Sequence, residues 1–319
     1  MNEISCPFCD IYSINTVINE DGYTGKKCNK CDTIYISPRP DECEIIELYK
    51  KDDSHISAES HISRDFVQRL YARHNLSLIK RFVKSGSILE IGAGAGYFLD
   101  EAKNAGFDVC GIELNGKQAQ FITDKLGIDC ETDPLSENSF KGRNFDLIYH
   151  CDVMSHFRDP IATFNIINSK LNEGGFIIFE TGNLGDVDYK YFKYIPSFQY
   201  PDHLFFFSNK SIRILLERTG FELIKKYNYS ILPQLLLRKK IMSIVTTAKG
   251  VSKRKILEEG NISHNASNKK TQKRNTKTIL KRFVKNVYWY LFYHIRYNVG
   301  SIYFMKGRPQ TIIIIAQKA

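Results

Sequence analysis

Four cysteines in two matching pairs, Cys6-x2-Cys9 and Cys28-x2-Cys31 with 18 residues between the pairs, are the first residues whose spacing implies chemistry. A two-residue gap lets both thiolates of one turn reach one ion, and two such turns complete a tetrahedral zinc site. Four sulfur ligands leave no open position, so a zinc held there is structural and takes no part in bond making. The other reading is four unligated buried thiols, against which the repeated gap argues. Cys43, Cys110, Cys130 and Cys151 fall outside the pattern and read as small core residues.

The second constellation is Ile88-Leu-Glu90-Ile-Gly92-Ala-Gly94-Ala-Gly96-Tyr-Phe-Leu99, an apolar strand, a glycine-rich turn and the start of a helix. Glycines there let the backbone approach a nucleotide-like ligand. Glycines alone do not separate this from a dinucleotide fingerprint. Two features do: the acidic Glu90 precedes the first glycine inside the strand, and Gly92-x-Gly94-x-Gly96 replaces the G-x-G-x-x-G spacing that suits a pyrophosphate.

On these residues the sequence resembles class I S-adenosylmethionine methyltransferases over 86–229 and again in the last strand. The resemblance implies a Rossmann-like doubly wound α/β sheet of seven strands and S-adenosylmethionine as cofactor. The next strand ends in Gly111-Ile-Glu113-Leu114, where the Glu113 carboxylate sits at the sheet's carboxyl edge and can accept from both ribose hydroxyls. The resemblance also assigns Asp133, after the third strand, to the adenine. Leu114, and Asp152 at the end of the fourth strand, complete the cofactor set. The phrase running from Phe145 through His156 to Asp159-Pro160 resembles the family's fourth strand and its exit, with Ser155 where the family usually has Glu. Asp159-Pro160 reads as a helix N-cap and first residue.

The segment Tyr200-Pro201-Asp202-His203-Leu204 resembles the Tyr-x-Glu-His-Leu loop of zinc-containing sugar C-methyltransferases, as does Tyr35-Ile-Ser-Pro38-Arg-Pro40 after the last cysteine pair. That likeness makes Tyr200 and His203, with His156, the candidate acid/base residues. A structural histidine under the sheet edge is the alternative for His203, and His156 stays open between the two roles. Here Asp202 replaces the family's Glu, and the family's long C-terminal domain has no counterpart.

Positioning these groups requires alternating elements. Short apolar runs predict strands at 88–91, 109–113, 145–149, 176–180, 223–229 and 311–316. Helices are predicted at 95–104, 117–125, 161–171 and 210–219, preceded by a short helix at 41–51, a polar loop at 54–63 and a helix at 65–84. The domain reading is a zinc ribbon over 1–40, a helical connector or lid over 41–85, a cofactor-binding domain over 86–232 and 309–319, and an insertion over 233–308. A chain of 319 residues with 43% hydrophobic residues can bury a sizeable core, which excludes a wholly disordered protein.

The net charge of +10 is uneven, because 233–308 holds 18 Lys/Arg against 2 Glu and the remainder is net negative. Trp289, Tyr288, Tyr290, Phe292, Tyr293 and Tyr297 follow the basic stretch and suit a lipid headgroup layer, so an anionic membrane surface or a lipid-linked glycan is one expected partner. RNA phosphates are another, and a packed aromatic helix with a solvated basic face is the third reading. His294, Arg296 and Asn298 argue against a membrane span. With no basic-then-apolar leader at the start, a cytoplasmic protein is expected. These features point to a methyltransferase acting on a small molecule, a sugar or glycan precursor, at oxygen or carbon; the rivals are an RNA methyltransferase and a non-catalytic scaffold on the same fold.

Overall fold

Two sheets position everything that follows. The computed structural model describes residues 3–41, 43–44, 57–249 and 276–319, so the helix expected over 41–51 lies almost wholly outside the described residues. The N-terminal module begins with β1 (Thr16–Glu20), β2 (Tyr23–Lys27) and β3 (Ile34–Ile36), joined antiparallel. Asp21 and Gly22 link the first two strands with φ of 52° and 83°, the left-handed pair that a two-residue hairpin needs.

The chain continues through α1 (Ala58–Ser63), α2 (Asp65–Ile79), β4 (Ser87–Ile91), α3 (Tyr97–Asn104), β5 (Asp108–Ile112), α4 (Gly116–Phe121), β6 (Asp129–Glu131) and β7 (Phe145–Cys151). Then come α5 (Pro160–Lys170), β8 (Leu171–Gly182), β9 (Phe205–Phe206), α6 (Asn209–Arg218), β10 (Phe221–Ser230), α7 (Leu232–Lys249), α8 (Thr276–His294) and β11 (Gln310–Lys318). Seven strands form one sheet in the order β10-β11-β8-β7-β4-β5-β6. β11 runs antiparallel to both its neighbours, and the remaining pairs are parallel. Strands covered on both faces must be apolar throughout, which is why Ile88, Leu89, Leu147, Ile148 and the run Ile312 to Ile315 are all buried. The expected doubly wound α/β architecture is present.

Local rules fix the ends. Asp159 caps α5, its Oδ1 accepting from the Ile161 and Ala162 amides at 3.0 Å each, with Pro160 in the first turn. In α6, Ser208 and Ser211 form a reciprocal capping box. The polar stretch expected to be a loop up to residue 63 is instead helical in α1: the Ser57 side chain caps it by accepting from the Ser60 amide, and Ala58 is fully buried.

Five strands lie outside the ranges that the apolar runs predict: β1, β2 and β3 of the ribbon, and β6 and β9. β6 is a three-residue edge strand, too short for a periodic signal. β9 leaves the large domain to pair with β3 as the fourth strand of the ribbon, with Tyr35 opposite Phe205 and Ile34 opposite Phe206. Ribbon and domain accordingly share one apolar core that includes Phe8, Ile34, Phe205 and Phe207.

The insertion corrects part of its compositional reading. α8 packs on α2, with the rings of Tyr71 and Tyr293 5.9 Å apart and His74 stacked on Tyr297 at 3.7 Å. Tyr297 is therefore buried, Phe292 is buried beside Tyr288 and Trp289, and of the six rings expected at a headgroup layer only Tyr290 is exposed. A helix aligns residues four apart, so 288, 292 and 296 all turn toward the domain. Among the described residues no helix is long and apolar enough to cross a membrane.

Candidate functional site

A cavity of about 1060 Å³ opens at the carboxyl ends of the parallel strands and gathers most of the residues singled out above. One end is built by the turn after β4. Gly92 has φ of 70°, and a Cβ there would meet Val153 at 2.5 Å, so the turn accepts no side chain. Glu113 follows β5; its Oε2 accepts from the Gly94 amide at 2.7 Å and its Oε1 from the Asn115 amide at 2.9 Å. Burial pushes its carboxyl pKa up, and the two amides pull it back. Glu90 lies deeper, held well above the ordinary carboxylate range by burial and by the neighbouring Glu113.

Glu90 Oε2 and Gln118 Oε1 are buried and have no hydrogen-bond partner among the described residues, and both residues line the cavity. Buried polar atoms without partners are rare and are commonly met by a ligand. A carboxylate at a strand end, amides on a glycine turn and orphaned acceptors together fit a nucleoside cofactor with ribose hydroxyls and an amino group to donate. Leu114 and Asp152 line the same end, and Asp152 sits at φ of 55° with its amide bonded to the Glu180 carbonyl at 2.9 Å.

Two expected cofactor residues are placed elsewhere. Gly96 does not line the cavity; a Cβ there would meet Ile122 at 2.7 Å, so this glycine serves the packing of α3. Asp133 is exposed and off the wall, which Pro134 and Leu135 form instead. Gln118 and Asn115 were not legible beforehand, since neither stands in a spaced motif. Asn115 caps α4 by accepting from the Lys117 and Gln118 amides.

At the other end His156 and His203 approach with ring centroids 4.9 Å apart, both on the cavity wall. His156 leaves β7 on a 3-10 turn (Met154–His156), and its Nδ1 lies 2.8 Å from the Asp202 carbonyl and 3.3 Å from Asp202 Oδ1. Burial alone would lower its basicity; the Asp202 carboxylate and carbonyl outweigh that and hold the imidazole above the usual histidine value. Asp202 is itself buried. His203 is fixed through its backbone, its amide donating to the Gln199 carbonyl at 3.0 Å.

Tyr200 does not join them, which corrects the pairing implied by the loop resemblance. It is buried, does not line the cavity, and its hydroxyl lies over Gly25 of β2 with no partner among the described residues. Burial pushes the phenol's pKa up. The reason is a contact distant in the chain: Glu20 at the end of β1 accepts the Phe198 and Tyr200 amides, turning this residue toward the ribbon.

A third wall comes from the insertion. Arg296 Nη2 pairs with Glu180 Oε1 at 2.7 Å and donates to Thr311 Oγ1 at 2.6 Å, while Asn75 Nδ2 reaches Glu180 Oε2 at 2.9 Å. Glu180 is almost fully buried, and Arg296 and Asn75 line the cavity. A lone arginine in an aromatic run was the only sequence signal for this cluster.

In the ribbon the four sulfurs of Cys6, Cys9, Cys28 and Cys31 lie within 4.8 Å of one another, with Cys6 and Cys31 at 3.5 Å. Tetrahedral zinc thiolates at about 2.3 Å bonds place sulfurs about 3.8 Å apart, so the donor set fits. None of the four is in a disulfide.

A family model described as a methyltransferase domain matches residues 63–226, just over half of the chain. Among curated proteins none matches the sequence. Among solved structures, the chain is similar to a SAM-dependent methyltransferase from Archaeoglobus fulgidus, at 17% identity and a TM-score of 0.47, covering 87% of this chain and 100% of that one. It is also similar to phosphoethanolamine N-methyltransferase 2 from Haemonchus contortus, solved with S-adenosyl-L-methionine, at 19% identity and a TM-score of 0.41, covering 77% of this chain and 52% of that one.

Proposed function

The chain belongs to the methyltransferase-domain family, and from that premise we propose that it uses S-adenosylmethionine to methylate a small hydroxylated acceptor, a sugar or glycan precursor, at oxygen or carbon. The observation that carries the reading is the pair His156 and His203, 4.9 Å apart at the other end of the cavity that Glu113 and the glycine turn line. An acceptor that must lose a proton as it takes a methyl needs a base of this kind beside it. The aromatic and amide side chains along the rest of the cavity suit an acceptor with apolar faces and several hydroxyls.

The cofactor supplies an electrophilic methyl group; the chain's own residues do the remaining work. Glu113 accepts from ribose hydroxyls with the lone pairs its two amide bonds leave over, and Gly92 and Gly94 let the backbone close on the ligand. His156, made more basic by Asp202, takes the acceptor's proton at Nε2 while its Nδ1–H stays on Asp202. His203 holds the acceptor against it. Alignment of the nucleophile with the methyl is the larger part of catalysis, and that alignment falls to the loop around His203. We further propose one structural zinc at Cys6, Cys9, Cys28 and Cys31, supported by the donor geometry.

A labelled-methyl transfer screen across nucleotide sugars, lipid-linked glycans and RNA tests the acceptor. Transfer to a sugar-bearing molecule is expected. Transfer to RNA alone would overturn the reading.

A further inference from the structure

The side of α8 turned away from the domain is apolar and continues into the residues beyond it. Phe283, Val284, Val287 and Leu291 are exposed at helical spacing, and Ile302 and Phe304 extend the strip past the helix. The exposure is substantial, 64% for Phe283 and 79% for Ile302. The helix has no freedom to roll this face inward, because Tyr293, Arg296 and Tyr297 fix the opposite side to Tyr71, His74 and Glu180.

Lysines frame the strip. Lys285 and Lys306 are exposed, as are Arg238, Lys239 and Lys240 on the adjoining α7, and the segment 233–308 carries 18 Lys/Arg against 2 Glu. We propose that this face docks on an anionic lipid bilayer, lying in the interface with its apolar side chains among the acyl chains and its lysines at the headgroups. An interfacial helix needs this combination, an apolar face with basic flanks and no spanning length.

Charge decides against the other occupants. A second copy would bring Arg238, Lys239, Lys240, Lys285 and Lys306 against the same residues of its partner, which like-charge repulsion opposes. RNA would meet the lysines, but the aliphatic side chains of Val284, Val287, Leu291 and Ile302 offer it neither stacking nor hydrogen bonds. The face is also tied to the cavity: Arg296, one turn past α8, and Leu235 of α7 both form its wall. Docking therefore places the cavity beside the bilayer.

The test uses the full chain with vesicles of phosphatidylcholine alone or mixed with phosphatidylglycerol, floated at about 0.1 M and about 0.5 M salt. The expected result is flotation with the anionic vesicles only, reduced at the higher salt. Val287→Asp with Leu291→Asp should lower the partition by at least roughly tenfold. Ile302→Asp with Phe304→Asp, lying outside the helix, should do the same if the first pair compromises folding. Absence of flotation by the unaltered chain overturns the proposal, as does flotation that neither double variant reduces. So does a dimer that the same variants dissociate, or RNA binding without vesicle binding.

Discussion

Ile36 of the ribbon donates its amide to the carbonyl of Leu204 at 3.0 Å, one residue past His203. Tyr35 pairs with Phe205 in the next register position, and the Ser208 hydroxyl closes the arrangement on the carbonyl of Cys31. The histidine loop is thus an outlying part of the ribbon sheet, and the four cysteines reach the histidine end of the cavity through two strands.

Loss of the zinc proposed for the ribbon is therefore expected to act on catalysis before cofactor binding. Cys6→Ser with Cys9→Ser should release zinc and reduce turnover by roughly tenfold or more, since misplacing a reacting group costs that much. Affinity for S-adenosylmethionine should stay within about twofold, because Glu113 and the glycine turn belong to β4 and β5. Elemental analysis, calorimetry and turnover on the same preparation check this. Equal loss of both functions would show general unfolding instead.

Glu113→Ala should weaken S-adenosylmethionine by about 1.5 to 3 kcal/mol, the range for charge-assisted hydrogen bonds. The carboxylate also holds the Gly94 and Asn115 amides, so part of the loss comes from a looser turn. Glu113→Gln keeps one acceptor and should fall between. Calorimetry on the folded variants decides; unchanged affinity would remove Glu113 from the site.

How far the sequence speaks depends on how local the determinant is. Gly92, Gly94 and Glu113 are legible because a strand, a tight turn and a strand end are each set by neighbours within a few residues. Asp159-Pro160 is legible as a cap for the same reason. The approach of His156 to Asp202 is not, since 46 residues separate them and only the fold brings them together. Tyr200 shows the limit of analogy: the loop's sequence resembles an acid/base motif, but Glu20, far away in the chain, takes its amide and turns it to the ribbon. Phe205 and Phe206 carry no period that two residues could show. The aromatic run over 288–297 left three readings open because composition gives no face, whereas the packing of Tyr297 on His74 does.

Arg296 and Glu180 form the most buried ion pair among those described, with side-chain exposures of 17% and 2%. Arg296→Met should destabilise the protein by about 3 to 5 kcal/mol, because it strands a buried carboxylate. Adding Glu180→Gln should recover most of that, since the charge is then gone. Denaturant unfolding of the two variants measures the difference. A double variant no more stable than the single one would mean that Glu180 is held by Asn75 and Tyr297 without need of the arginine.

The pairing of His156 with Asp202 makes the last prediction one of sign. Asp202 holds the folded-state pKa of His156 above its ordinary value, about 6.5. A base works only when deprotonated, so activity should rise with pH through that elevated value. Asp202→Asn removes the carboxylate but keeps a backbone carbonyl at the same place; the pKa should fall and the rising limb should move to lower pH. Stability runs the other way. A raised folded pKa contributes stability that is fully present below the unfolded pKa and is lost as pH rises through the folded one, so the unaltered protein should exceed Asp202→Asn most at acid pH and converge with it at alkaline pH. Paired pH–rate and pH–stability profiles check both limbs. If the rate limb stays fixed while the stability difference behaves as described, the pair is structural and His203 carries the proton alone.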